Sequence, residues 1–326
     1  MKAVVMRRTG GPEVLAVEEL PEPLAAAGQS LVDVRLAGVN YDDLERRSGQ
    51  YQPLALPAVL GVDAVGVRRS DGCRVAVLLR EGGGYAQVVA AEDRYTVELP
   101  DHLSDDQAVG LLEQGSTAYG ALILAGRLRS GEAVGVSAAA GGVGHLAIQL
   151  ALAYGAHPVI GLASSVGKRA RLRDLGAHHV LDPAADDLGE QLRDASGGGV
   201  GLFVDSVGGG LARAALDGLA PFGRLVTVGW RAAADGGSDQ YGPVRVSTDD
   251  LIERSIGCAG FWMRHVVENR TLLAGMAAEL FDLAKRGQLV AWIDRTVALA
   301  GVGDAHAAMA ARTTSGKILI DVNREH

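Results

Sequence analysis

A glycine-rich turn near the middle of the chain constrains its fold more than any other feature. Ser137-Ala138-Ala139-Ala140-Gly141-Gly142-Val143-Gly144 lies between a short apolar strand pattern, Ala133 to Val136, and an apolar helical run, Val143 to Tyr154. A small-x-Gly-x-x-Gly run at a strand-to-helix junction lets backbone N–H groups and a helix N-terminus approach a pyrophosphate, where the helix dipole favours negative charge. The flanking strand and helix make a weak pattern specific. The turn predicts a dinucleotide-binding fold.

The surroundings of the turn predict two kinds of architecture. Before it, Leu31 to Leu36, Val75 to Leu79, Tyr85 to Val89 and Arg94 to Leu99 have strand character. Gly-Gly-Pro at 10–12, Pro21-Glu22-Pro23 and Gly82-Gly83-Gly84 interrupt them, the texture of a compact β-rich domain. Ser104-Asp105-Asp106-Gln107 then opens a helix. From about Gly131, strands at Val134–Ser137, Pro158–Leu162, His179–Leu181, Leu202–Asp205, Arg224–Val228 and Ile256–Phe261 alternate with helical patterns at Gly144–Tyr154, Lys168–Leu175, Leu188–Ala195 and Leu211–Leu219. Such alternation predicts an α/β fold with a doubly wound parallel sheet. Arg231–Gly242 reads as a surface loop, Val266–Arg286 as one long helix, and Lys317–Ile320 as a final strand.

Composition narrows the partners. The net charge of −8, from 31 basic and 39 acidic residues, argues against nucleic acid and anionic membranes. No run reaches the roughly 20 apolar residues that span a bilayer. The N-terminal Met1–Arg8 becomes charged too early for a signal peptide and reads as a first strand. The two cysteines, Cys73 and Cys258, form no Cys-x-x-Cys, so the default is a reducing cytoplasm without disulfides.

The residues after the second Rossmann strand bear on which nicotinamide coenzyme is used. An acid there would bond the ribose hydroxyls and repel a 2′-phosphate. Ser164 lies at that spacing, no Asp or Glu occurs between Tyr154 and Arg173, and Lys168, Arg169 and Arg171 follow. Serine hydroxyls and an ammonium favour NADPH, unless the cations merely solvate a helix surface. A zinc alcohol dehydrogenase needs thiolates and histidine. Here no histidine precedes His102 and the adjacent pair His178-His179 reads as surface, so no metal is expected. Without a Lewis acid, a localised alkoxide needs some other stabiliser, whereas hydride addition to a quinone or enone gives a delocalised anion that one or two hydrogen-bond donors can stabilise. No residue stands out in the sequence as a general acid.

The chain resembles the zinc-free quinone oxidoreductases of the medium-chain dehydrogenase/reductase superfamily, the group that includes zeta-crystallin. The matching segments run nearly end to end: Ala37–Asn40, Arg47–Tyr51, Leu60–Asp63, Gly115–Tyr119, Ala139–Gly144, Leu175–Val180, Asp205–Gly209, Gly260–Trp262 and Arg312–Lys317. The resemblance implies a GroES-like β-rich catalytic domain at 1–123 and 262–326, a Rossmann NADPH-binding domain at 124–261, an active site in the cleft between them, and a homodimer.

It also implies residue roles. Asn40 and Thr117 would lie near the nicotinamide as catalytic and cofactor-binding residues. Ala140, Gly141, Gly142 and Val143 would cradle the pyrophosphate, and Ser164 and Lys168 would meet the 2′-phosphate. Ser206 and Val207 would border the adenosine, Gly229, Phe261 and Trp262 would line the nicotinamide, and Lys317 would join the cofactor set. Tyr41, Tyr51 and Trp262 would shape the substrate pocket. Plainer readings exist: Asn40 as a turn brace, Thr117 bonded back to its helix, Tyr51 and Trp262 as ordinary packing, Lys317 as surface decoration. Glu45 and Glu113 depart from the family by placing acids near the expected pocket. The activity implied is NADPH-dependent reduction of a quinone or α,β-unsaturated carbonyl. The alternatives are an enoyl-thioester reductase and a non-catalytic NADPH-binding protein.

Overall fold

The computed structural model describes residues 1–51, 54–229 and 244–324; the loop expected at 231–242 falls outside them. The chain divides into two compact units, Met1–Ser116 with Arg264–His326, and Thr117–Met263. The boundaries expected from the sequence lie at 123/124 and 261/262.

The first unit begins with β1 (Lys2–Met6), β2 (Leu15–Glu19), β3 (Gln29–Val39), α1 (Tyr41–Ser48), β4 (Ala58–Val59), β5 (Asp63–Arg68), β6 (Arg74–Leu78), β7 (Val88–Glu92) and β8 (Thr96–Glu98). The helix α2 (Asp105–Tyr119) follows. Strand alternation sets the core: in β3, Val32 and Val34 are buried while Asp33 and Arg35 face solvent.

The second unit is a six-stranded sheet. In chain order its strands are β9 (Val134–Val136), β10 (Val159–Leu162), β11 (His179–Leu181), β12 (Val200–Asp205), β13 (Leu219–Thr227) and β14 (Gly257–Gly260). They stand in the order β11-β10-β9-β12-β13-β14, and each neighbouring pair is parallel. The helices α3 (Gly142–Ala153), α4 (Val166–Asp174), α5 (Leu188–Ser196), α6 (Gly209–Asp217) and α7 (Thr248–Arg254) accompany them. Every residue of β9 and β10 is buried, as expected where helices cover both sheet faces.

The chain then returns to the first unit with α8 (Met263–Val267), α9 (Arg270–Lys285), β15 (Ile293–Ala298), α10 (Val302–Ala310) and β16 (Lys317–Asp321). Its main sheet runs β15-β16-β3-β5-β6-β8, with β7 also paired to β3, and a small sheet runs β2-β1-β4. Strand β16 lies antiparallel to β3, with Ile318 opposite Val39. That pairing brings the end of the chain beside the residues that open α1. The single helix expected at Val266–Arg286 is interrupted at Asn269, whose side-chain oxygen accepts the Leu272 N–H and starts α9 afresh.

Candidate active site

The candidate dinucleotide site of the second unit is built at the carboxyl ends of its parallel strands. After β9 the backbone turns through Ala138, at φ +43°, and enters α3 from Gly141. A Cβ on Gly144 would stand 2.4 Å from the Ala138 carbonyl oxygen and 2.7 Å from the Ala139 Cα, so only glycine fits there. Ala140 is buried, whereas Gly141, Gly142 and Val143 keep exposed surface. The first-turn N–H groups of a helix lack intrahelical partners and suit an anion. His145 braces the turn from inside. Its Nδ1 lies 2.7 Å from the Gly141 carbonyl oxygen, and burial holds the imidazole down at about 4, so it is neutral and its Nδ1–H donates.

The neighbouring loops are held as firmly. Asp205 accepts the Val207 and Gly208 N–H groups at 3.0 and 2.8 Å, and the Ser206 N–H donates to Ser137 Oγ at 2.9 Å. Ser206 and Val207 are thereby presented beside the glycine turn. A Cβ on Gly229 would meet the Ser206 carbonyl oxygen at 3.2 Å, which places the end of β13 against the same loop. Phe261 packs its ring over Gly120, and Trp262 remains 39% exposed. Ser164 is exposed after β10, Ser165 caps α4 by accepting the Lys168 N–H, and Lys168 is half-buried.

The structure adds an acid that spacing alone did not show. Asp182, at the end of the adjacent strand β11, meets Arg169 at 2.7 Å, and the same guanidinium donates to the Ser164 carbonyl oxygen at 3.2 Å. Backbone N–H donation from Ala184 and the Arg169 pair hold the Asp182 carboxyl below the usual range. Its charge therefore reaches the serine loop already paired.

In the first unit, the candidate residues converge on a buried polar cluster. Lys317 Nζ donates to Asn40 Oδ1 at 2.8 Å and to Asp63 Oδ2 at 2.7 Å, with Lys317 0% and Asp63 1% exposed. Asn40 Nδ2 donates to Asp63 Oδ1 at 2.7 Å, and Gln114 Nε2 donates to Asn40 Oδ1 at 3.2 Å. Both ends of the Asn40 amide are engaged. Gly38 makes the approach possible: a Cβ there would stand 2.2 Å from Lys317 Cε and 2.5 Å from Asp63 Oδ1. Lys317 is thus an internal cation of the first unit rather than a decoration of its last strand.

A second layer lies beneath. Asp43 accepts the Asn40 N–H at 3.0 Å, the Gly61 N–H at 2.9 Å and the Tyr85 hydroxyl at 3.0 Å, and Tyr85 in turn meets His306 Nε2 at 3.1 Å. Burial, with Asp42 and Asp63 nearby, pushes the Asp43 carboxyl up to about 7. Tyr41 packs against the core of this unit, Tyr51 lies under the Arg46 guanidinium at 5.2 Å, and Glu45 is buried. Glu113, on α2, is half-buried at its surface, yet protein surrounds the carboxyl. The lost hydration, reinforced by Asp63, pushes it up to about 8.

The donor set for a transition metal is sparse. Among the described residues, the one group of three potential ligands is Asp71, Cys73 and Glu98, and Arg68 already binds both carboxylates. Neither cysteine is in a disulfide.

These features define the class: a GroES-like β-rich domain joined to a Rossmann domain, the architecture of the medium-chain dehydrogenases/reductases. Residues 142–279 match the family model described as zinc-binding dehydrogenase. The chain is 31% identical over 333 residues to a 2-haloacrylate reductase of Burkholderia sp., covering 98% of each. It is 31% identical over 331 residues to the quinone oxidoreductase of Pseudomonas aeruginosa, covering 98% of this chain and 99% of that one. Among solved structures, the quinone oxidoreductase of Thermus thermophilus, also determined with NADPH, superposes with a TM-score of 0.86 at 32% identity, covering 99% of this chain and 100% of that one. The chain belongs to the quinone oxidoreductase family of that superfamily.

Asp63, Gln114, Asp43, Tyr85, His306, His145 and the Arg169–Asp182 pair were not singled out as site residues from the sequence. The available signal for Asp63 was its place in the family-like run Leu60–Asp63, and for Gln114 its position beside Gly115–Tyr119.

Proposed function

We propose that the chain reduces quinones or α,β-unsaturated carbonyls with NADPH and without a metal. The observation that carries the reading is the backbone turn Ala138–Gly144, whose close packing leaves no room for a side chain at Gly144. Ala140, Gly141, Gly142 and Val143 would hold the pyrophosphate, with Ser206 and Val207 beside the adenosine. Ser164 and Lys168 would take the 2′-phosphate, on a loop whose nearby acid is already neutralised by Arg169. Thr117, Gly229, Phe261 and Trp262 would border the nicotinamide, and Tyr41 and Tyr51 the acceptor. The bound coenzyme supplies the hydride.

The Lys317–Asp63 pair and Gln114 would fix the amide of Asn40 in the site, so Asn40 acts with its orientation set from behind. The names of two relatives, a quinone oxidoreductase and a 2-haloacrylate reductase, describe acceptors with a double bond conjugated to an electron-withdrawing group. That chemistry needs donors for a delocalised anion rather than a Lewis acid. Cys73 and Cys258 stand unpaired in separate units, which supports a zinc-free site and a cytoplasmic setting. No described helix is long and apolar enough to cross a membrane.

A homodimer is part of the same reading. Strand β14 ends the parallel sheet among the described residues, with Phe222 and Ile252 exposed at 84% and 75%. Light scattering on the purified protein tests it, and a monomer would remove it.

The activity is tested by NADPH oxidation with 9,10-phenanthrenequinone, a 2-enal and an enoyl thioester, alongside metal analysis. Turnover with the quinone or the enal in zinc-free protein is expected. Turnover confined to the thioester would redirect the reading to an enoyl reductase, and tight NADPH binding with no turnover to a non-catalytic protein. Stoichiometric zinc would overturn the metal-free part.

A further inference from the structure

We propose that Asp43, Tyr85 and His306 form a proton switch beneath Asn40, in which one proton taken up at His306 comes to rest on Asp43 and reverses both hydrogen bonds of the chain. All three residues belong to the first unit, so the inference goes beyond the reduction proposed above and needs neither coenzyme nor acceptor.

The three groups form a continuous line through the interior. Asp43 is the third residue of α1, Tyr85 lies in the loop before β7, and His306 is on α10; each is 0% exposed. The Tyr85 hydroxyl stands 3.0 Å from Asp43 Oδ2 and 3.1 Å from His306 Nε2, and the two rings meet edge-on at 82°. A hydroxyl has one proton, so it donates to only one of these neighbours. With Asp43 ionised, Tyr85 donates to the carboxylate and His306 Nε2–H donates to the Tyr85 oxygen. With Asp43 protonated, its O–H donates to Tyr85, Tyr85 donates to Nε2, and the imidazole proton sits on Nδ1. Each state keeps both bonds, and the two states differ by one proton.

Passage from one state to the other is a relay of three proton positions. A proton from water forms the Nδ1–H bond of His306, whose Nε2–H bond breaks as an O–H bond forms on Tyr85. The former Tyr85 O–H bond breaks as an O–H bond forms on Asp43 Oδ2. No electrons change hands, and the imidazole ends neutral with its proton on the other nitrogen. His306 Nδ1 is the open end of the chain: it is buried and bonds to no group among the described residues. Buried groups of this kind equilibrate with solvent through brief local openings.

The surroundings decide where the proton rests. Burial, then Asp42 on α1 and Asp63 on β5, push the Asp43 carboxyl up to about 7 against the N–H groups that it accepts. Glu113 on α2 faces the same acids and is itself raised, and Lys317 on β16 is committed to Asp63 and Asn40. At the other end, burial and the Arg47 guanidinium on α1 hold His306 down at about 3, so the ring does not keep the proton as a cation. Burial and the neighbouring Asp43 hold the Tyr85 hydroxyl well above its ordinary value, so it stays protonated throughout.

The switch reaches Asn40 through the main chain. Asp43 Oδ2 also accepts the Asn40 N–H and Oδ1 the Gly61 N–H. Bonds to an ionised carboxylate are roughly twice as strong as bonds to a neutral one. The backbone under Asn40 and the Gly61 turn is therefore held tightly when Asp43 is ionised and more loosely when it carries the proton. Tyr85 and His306 are positioning residues that act on Asn40 through Asp43.

The test is 15N NMR of the full-length protein, without ligand, titrated from the acid to the alkaline side of pH 7, alongside Tyr85→Phe and Asp43→Asn. The nitrogen shifts of His306 tell an N–H nitrogen from one with a lone pair. In the wild type the ring should stay neutral and exchange Nδ1–H for Nε2–H as pH rises, with a midpoint near 7. The backbone amide protons of Asn40 and Gly61 should shift with the same midpoint. Tyr85→Phe keeps the carboxyl and removes the hydroxyl, so His306 should hold one tautomer at every pH while the two amides still titrate. Asp43→Asn should abolish both responses. A wild-type ring that keeps one tautomer throughout, or that becomes a cation near its ordinary value of about 6.5, overturns the switch. So does a tautomer exchange that survives in Tyr85→Phe, a variant that decides the matter even if Asp43→Asn does not fold.

Discussion

The candidate sites in the two units are made of different materials. The glycine turn of the second unit is a backbone site: it works through N–H groups and through the side chain that Gly144 lacks. The cluster in the first unit is a side-chain site. Asn40, Asp63, Gln114 and Lys317 come from the start of α1, from β5, from α2 and from β16, and Lys317 lies 277 residues from Asn40 and 254 from Asp63 along the chain. A backbone site fails when an atom is added. A side-chain site fails when a partner is removed and a buried charge is left alone, and the second failure is energetically larger.

The largest effect should follow from Lys317→Met. Asp63 is 1% exposed, so removing the ammonium strands its carboxylate in the interior at a cost of about 3–5 kcal/mol. Denaturant unfolding measures it. The double variant Lys317→Met with Asp63→Asn should recover much of that loss, because both charges leave together. Two losses that simply add would show that the pair is not coupled and would dissolve the contrast between the two sites.

Gly144→Ala comes next. Its Cβ has to displace backbone at Ala138 and Ala139, a strain of about 1–3 kcal/mol. Calorimetry should find NADPH binding weakened about tenfold to 100-fold, at roughly 1.4 kcal/mol per factor of ten. Unchanged affinity would mean that coenzyme does not depend on this turn.

The same contrast governs what the sequence reveals. The turn, its strand and its helix are contiguous, so local spacing exposes them. Helix α1 escaped a reading by apolar periodicity because its buried residues are mostly charged: Asp43, Glu45, Arg46 and Arg47 accompany a single leucine, Leu44. Its other signals were present, with Asn40 before it, Asp42 and Asp43 in the first turn and Gly49 after it. Lys317 gave no sign of its burial, since the space it fills is opened by Gly38 on a strand that pairs with β16 only after folding. The pairing of Asp182 with Arg169 was likewise not legible, because it is the parallel pairing of β10 with β11 that brings the two together.

The buried histidines and the buried carboxyls should also titrate in opposite senses. His145, held at about 4, and His306, at about 3, lie below the ordinary 6.5, so the unfolded chain binds more protons and stability falls as pH drops from about 6.5. Asp43, at about 7, and Glu113, at about 8, lie above the carboxylate range, so the folded chain holds more protons. Their contribution is full in acid and is lost as pH rises through 7 and 8. Unfolding midpoints at pH 5 and pH 8.5 check this: His145→Asn should soften the decline on the acid side, and Asp43→Asn the decline on the alkaline side. Identical slopes in wild type and variants would contradict both assignments.

The smallest effect separates coenzyme selectivity from coenzyme binding. Arg169 and Asp182 form a partly exposed pair, with side chains 21% and 45% accessible, and such pairs contribute about 0.2–1 kcal/mol. Arg169→Ala should leave the Asp182 charge unopposed near Ser164, weakening NADPH by about two- to fivefold while leaving NADH nearly unchanged. Asp182→Asn should act in the other direction, because it frees a guanidinium for the 2′-phosphate. Both are read as the ratio of NADPH to NADH dissociation constants at low ionic strength, and both should shrink as salt screens the charges. Equal shifts for the two coenzymes would assign the pair to loop structure alone. Opposite shifts would show that a side-chain pair tunes what the backbone turn binds.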